Sequence, residues 1–180
     1  MAPQLWLLRH AEAERHGSRE DSERLLTDRG ELQARAAGRA IAAIGADFDL
    51  VLSSPKVRAR RTAELAAEEW DGALRERLEI YPPLAEGFDV LAARAVMRRA
   101  GADARVLLVG HEPDLSGVIA ALTGARVDLK KGGLALVRLE GARGELVLLM
   151  RPRELALVAD DGGLDSGLLR AVGSPAEGQG

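Results

Sequence analysis

Apolar and polar positions along this chain fall into blocks of two kinds. Short apolar runs at residues 5–8, 48–54 and 105–111 read as buried strands. Between them lie longer stretches with helical spacing. From 28 to 44, Ala36, Ala37, Ala40, Ile41 and Ile44 recur on one face, with Thr27 as N-cap and Gly45 as the stop. Ser54-Pro55 reads as an N-cap followed by proline at the first helical position, opening a helix to about Trp70. "DVLAARAVMRRAG" predicts a helix closed by Gly101. "EPDLSGVIAALTG" predicts another after the third strand, starting near Pro113. "GLALVRLEGARGELVLLM" predicts two strands around a turn at 140–144.

This alternation implies an α/β fold: a three-layer α/β/α sandwich with a mostly parallel central sheet and an antiparallel edge hairpin. At 180 residues the chain suits one domain with a sizeable core, expected over 1–158. Residues 159–180 are Gly-rich and weakly apolar, and are expected to form a loosely held tail.

Composition narrows the function. With 25 Lys+Arg against 28 Asp+Glu, nothing suggests a nucleic-acid footprint. The absence of cysteine excludes disulfides, thiolate nucleophiles and Cys-ligated zinc. No stretch approaches the roughly 18 apolar residues of a spanning helix, and the apolar run near the start is too short for a signal peptide. A cytoplasmic location with no membrane partner is the expectation.

Chemistry gathers where strands end. Arg9-His10 follows the first strand, Arg58 lies in the first turn after the second, and His111 follows "LLVG". In a parallel sheet these ends share one side, where helix N-termini also favour an anion. Two histidines and two arginines on that rim describe a phosphoryl site. Each has a structural reading too: a histidine after a strand can be a hydrogen-bonded structural residue, and Arg58, Arg60 and Arg61 can form a solvated face. His16, in a polar loop, reads as a surface residue.

"LLRHAEAE", "LTDRGELQA", "VLSSPKVRARRTAE" and "LLVGHEPDLSGVIAALTG" resemble the successive motifs of the histidine phosphatase superfamily, nearest to its SixA-like phosphohistidine phosphatases. The resemblance runs from residue 5 to about 139. It implies a catalytic domain with a phosphoglycerate mutase-like fold, in which His10 is the nucleophile that becomes phosphorylated. Arg9, Arg58 and His111 would complete the phosphate pocket. A neutral imidazole can attack phosphorus and later release it to water, and arginine forks match phosphate oxygens. Ala11 stands where the commoner superfamily motif has glycine. A carboxylate in "YPPLAEGFDV" would be the general acid: Glu86, with Asp89 the alternative.

The resemblance implies a metal-independent phosphatase without a cofactor. Its partner would be a phosphohistidine-bearing protein or a small phosphorylated metabolite. A phosphohistidine P–N bond has a weakly basic leaving group and needs little acid help. The short stretch 71–104, where larger members insert lids, implies an open cleft. Two rival readings are a metal hydrolase using His10, His111 and Glu12, Glu14 or Asp114, and a non-catalytic phosphate-binding regulatory module. The first lacks a His-Glu-x-x-His pattern; the second would usually have lost one of the four core residues. Lys130-Lys131 before Gly132-Gly133 reads as a solvated turn or as a basic rim for an anionic partner.

Overall fold

The computed structural model describes residues 2–160, so the expected tail lies, from 161 onward, outside the described residues. Strands β1 (Gln4–Arg9), β2 (Leu50–Ser53), β3 (Leu78–Ile80), β4 (Arg105–Gly110), β5 (Leu134–Glu140) and β6 (Arg143–Met150) form one sheet in the order β3-β2-β4-β1-β5-β6. The first four strands in that order run parallel, β5 lies antiparallel beside β1, and β6 lies antiparallel beside β5. Helices α1 (Asp28–Ala43), α2 (Val57–Ala67), α3 (Gly72–Arg75), α4 (Val90–Ala100), α5 (Asp114–Thr123) and α6 (Pro152–Asp160) complete the sandwich.

Side-chain alternation along the strands explains why their sequences are apolar without interruption. Trp6 and Leu8 of β1 join the core beneath α1, α2 and α6, where Phe48 packs edge-on against Trp6 with centroids 5.7 Å apart. Leu5 and Leu7 point the other way, into the core beneath α4 and α5. A strand buried on both faces keeps no polar side to expose. The alanine-rich helices pack closely: a Cβ at Gly38 of α1 would sit 2.3 Å from the carbonyl oxygen of Ala66 in α2.

Three local expectations need correction. Helix α2 begins at Val57, behind Lys56 and without a side-chain cap, and it ends at Ala67. Ser54 does not cap it, because its hydroxyl is engaged with Lys56 N and His111. Strand β3 is only three residues long and largely exposed, too short for a periodicity to show. Helix α6 was not expected either; its Leu155 and Val158 close the core beside α1.

Candidate active site

The carboxyl ends of β1 and β4 are adjacent, and the chain leaves both in register: His10 N–H donates to the Gly110 carbonyl at 3.0 Å. On the other side of β1, Gly132 N–H donates to the carbonyls of Arg9 and His10. The backbone around the Arg-His pair is therefore held from two directions. Ala11 is fully buried against Ala34 and Leu65, and its N–H donates to Thr62 Oγ1 at 3.0 Å. Alanine fits where the superfamily motif has glycine. Gly30 does not tolerate the same change, since its Cβ would lie 1.9 Å from the Glu12 carbonyl oxygen. That contact presses the start of α1 onto the segment after His10. Glu12 itself accepts from the Thr27 hydroxyl at 3.0 Å, a structural use.

His10 is 5% exposed. Its Nδ1 lies 2.8 Å from the Ala11 carbonyl, which can only accept, so Nδ1 carries the proton. The lone pair is then on Nε2, which accepts from Arg58 Nε at 3.3 Å. Burial pushes the His10 pKa down to about 2, and the charges of His111, Arg58 and Arg9 push the same way. The ring is neutral at neutral pH.

His111 stands beside it, with ring centroids 5.2 Å apart. Burial, followed by Arg58 and Lys56, pushes its pKa down to about 3. Its Nε2 lies 2.8 Å from Ser54 Oγ, while Nδ1 is buried with no hydrogen-bond partner among the described residues. Arg9 donates through Nη1 to the Leu129 carbonyl at 2.9 Å, and its Nε is likewise buried and unpartnered. Unpaired polar atoms are costly when buried, and here two of them belong to residues at the carboxyl ends of β1 and β4, where His10 also stands.

Arg58 occupies the first turn of α2 and is buried, as its place after β2 predicts. Beyond His10 it donates to the carbonyl and to Oδ2 of Asp21, the latter at 3.1 Å. A cavity of about 360 Å³ opens beside Arg58 and His111. Its walls include Asp21, Lys56, Arg58, Glu86, His111 and Asp114. Glu86 therefore reaches the same cavity as Arg58 and His111 and is exposed on its rim. Asp89 does not serve there; it is the N-cap of α4, accepting from Ala92 N–H at 2.9 Å. Lys130 pairs with Asp128 and lines a separate cavity. His16 is exposed, as expected, although it borders the wall of the site. No cluster of three or more potential metal ligands occurs among the described residues.

Sequence reasoning missed Asp21, Ser54 and Thr62. A single aspartate in "GSREDSERLL" looks like any solvated loop residue, and Ser54 carried a competing signal as a helix cap. Only the tertiary arrangement brings them to the two histidines.

Residues 5–89 match the model of the histidine phosphatase superfamily (branch 1). An uncharacterised protein of Picosynechococcus sp. is 36% identical over 166 residues, covering 84% of this chain and 98% of that protein. The protein histidine phosphatase SixA, solved with tungstate, superposes with a TM-score of 0.75 at 25% identity, covering 84% of this chain and 99% of that one. The α-ribazole phosphatase of Shigella flexneri shares the fold at 23% identity, with a TM-score of 0.67 over 83% and 96% of the two chains.

Proposed function

The chain belongs to the histidine phosphatase superfamily as a SixA-like member, and from that premise we propose that it is a metal-independent protein phosphohistidine phosphatase. The observation that carries this reading is the fixed tautomer of His10. Its Nδ1–H is bound to the Ala11 carbonyl, and its Nε2 lone pair accepts from Arg58 Nε, with the His111 ring centroid 5.2 Å from its own.

In the first step His10 Nε2 attacks phosphorus while the P–N bond to the substrate imidazole breaks, and the departing nitrogen takes up a proton. The phosphoryl group is then on His10. In the second step water attacks phosphorus, His10 Nε2 recovers its electron pair, and inorganic phosphate leaves. The arginines stabilise the equatorial oxygens, over which charge is spread in both transition states. Ser54 has one hydroxyl hydrogen, and donating it to His111 Nε2 leaves the His111 proton on the unpartnered Nδ1. That N–H is then a donor for a phosphoryl oxygen.

Substrate class turns on the leaving group. An imidazole departs with little help, so an exposed carboxylate on the rim suffices or is dispensable. The neighbouring folds include an α-ribazole phosphatase, and a small phosphomonoester is the second reading. The observation favouring it is Glu86, a carboxylate on the rim of the same cavity that can serve as general acid. One experiment separates the two: hydrolysis of a phosphohistidine peptide and a panel of alkyl phosphates by wild type and Glu86→Gln. The leading reading expects the peptide to be preferred and to lose little in the variant. Alkyl phosphate hydrolysis is expected to fall about 10²–10⁴-fold. A preference for an alkyl phosphate, with equal losses on both substrates, overturns it.

A further inference from the structure

We propose that Asp21 is a positioning residue of this site, which turns the Nε side of Arg58 toward the nucleophile by holding the other end of the guanidinium. The inference rests on the reading of His10 as the attacking group. Arg58 has five N–H bonds. Nη1 donates to the Asp21 carbonyl, Nη2 to Asp21 Oδ2 at 3.1 Å, and Nε to His10 Nε2 at 3.3 Å. The two-pronged end is thus occupied by one residue, through its backbone and its side chain together. An arginine without this tether can meet a phosphoryl group by either edge. With it, the edge beside His10 is the one presented.

Asp21 is itself held firmly. Its Oδ1 accepts from Arg24 Nε at 3.1 Å and lies 3.0 Å from Arg24 Nη2, and its Oδ2 accepts from Lys56 Nζ at 3.0 Å. Arg24 in turn donates to the Glu14 carbonyl. The side chains of Arg24 and Arg58 are only 4% and 5% exposed, and this carboxylate is bonded to both. Two buried guanidinium groups this close repel each other unless a counter-charge lies between them. Lys56 first, then Arg58, hold the Asp21 carboxyl well below the usual carboxylate range, so the counter-charge persists in mildly acidic solution.

Removing that charge has two opposed consequences. The surrounding cations attract an oxyanion at least as strongly as before, because nothing neutralises them. Arg58 meanwhile loses its fixed direction, which matters most in the transition state, where the phosphoryl oxygens must be met in one geometry. A role in loop stability alone would not separate binding from turnover.

The test compares Asp21→Asn with the exposed neighbour variant Glu23→Gln and with His10→Ala. Turnover of a phosphohistidine peptide gives kcat, and calorimetric titration with tungstate gives oxyanion affinity. For Asp21→Asn we expect kcat to fall about 10–100-fold while tungstate binds as tightly as to wild type or more so. Glu23→Gln should match wild type in both. Unchanged kcat in Asp21→Asn, or parallel losses of kcat and tungstate affinity, overturns the proposal. Should the Asn variant not fold, Asp21→Glu keeps the charge and shifts the tether: about tenfold slower turnover with undiminished tungstate binding is expected, and wild-type turnover overturns it. Full turnover in His10→Ala removes the reading beneath the proposal. Loss in His10→Ala beside a wild-type-like Asp21→Asn overturns the Asp21 assignment alone.

Discussion

Two groups of arginines and carboxylates meet at helix α2, built from the same residue types and differing in access to water. On the outer face Arg61 Nε reaches Glu31 at 3.2 Å, Arg60 reaches Glu64 at 3.5 Å, and Arg35 reaches Glu68 at 2.6 Å. Each of these side chains is about a third or more exposed. One turn earlier, Arg58 and Arg24, themselves almost without exposure, grip the half-exposed carboxylate of Asp21. Water competes for every bond in the first group, so its pairs contribute little and tolerate exchange. Around Asp21 the partners are fixed, and direction becomes part of what the arginine supplies. An arginine run on one helix thus holds both a solvated face and a working group.

The sharpest way to break this comparison is to make one substitution at both places. Arg58→Lys keeps the charge and loses the fork, and kcat/KM should fall about 10²–10³-fold. Arg61→Lys, three residues along the same helix, should stay within about twofold. Steady-state kinetics on one phosphohistidine peptide measures both. Similar losses at the two positions would mean that burial does not separate them.

The same contrast explains what could be read from the chain alone. Arg9, His10, Arg58 and His111 were legible because each lies at or just past the end of a strand, and parallel strands bring their carboxyl ends to one rim. The sandwich and the edge hairpin were legible for a related reason: strands buried on both faces leave unbroken apolar runs, and the turn between β5 and β6 carries Gly141 with a positive φ. Asp21 was not legible. Its role depends on a loop folding back so that one carboxylate meets side chains 3, 35 and 37 residues away. Ser54 misled in the opposite way, because its pattern with Pro55 suits a helix cap and tertiary contact with His111 overrides it. Helix α6 escaped notice because its apolar face needs only Leu155 and Val158.

A smaller effect sharpens the comparison through pH. Burial holds His10 down to about 2 and His111 down to about 3, against 6.5 for an ordinary imidazole. Below pH 6.5 the unfolded chain therefore takes up protons that the folded protein refuses. Stability should fall as pH drops from 6.5 to 5, by up to about 1.4 kcal/mol per pH unit for each ring. Urea unfolding across that range measures the slope, and His111→Ala should remove about half of the two-ring contribution. A protein that gains stability toward pH 5, or keeps its full slope in His111→Ala, would contradict the neutral, buried state of these rings.

The central claim is that His10 carries the phosphoryl group, and a rapid-quench labelling experiment tests it most directly. Enzyme mixed with a phosphoryl donor and quenched in alkali should carry one phosphate, located on His10 by peptide mapping. The adduct should be stable in alkali and lost in acid, as a P–N bond requires. His10→Ala should give neither label nor turnover, while unfolding as cooperatively as wild type. A label on His111 or His16, an adduct stable in acid, or substantial turnover in folded His10→Ala would contradict the account.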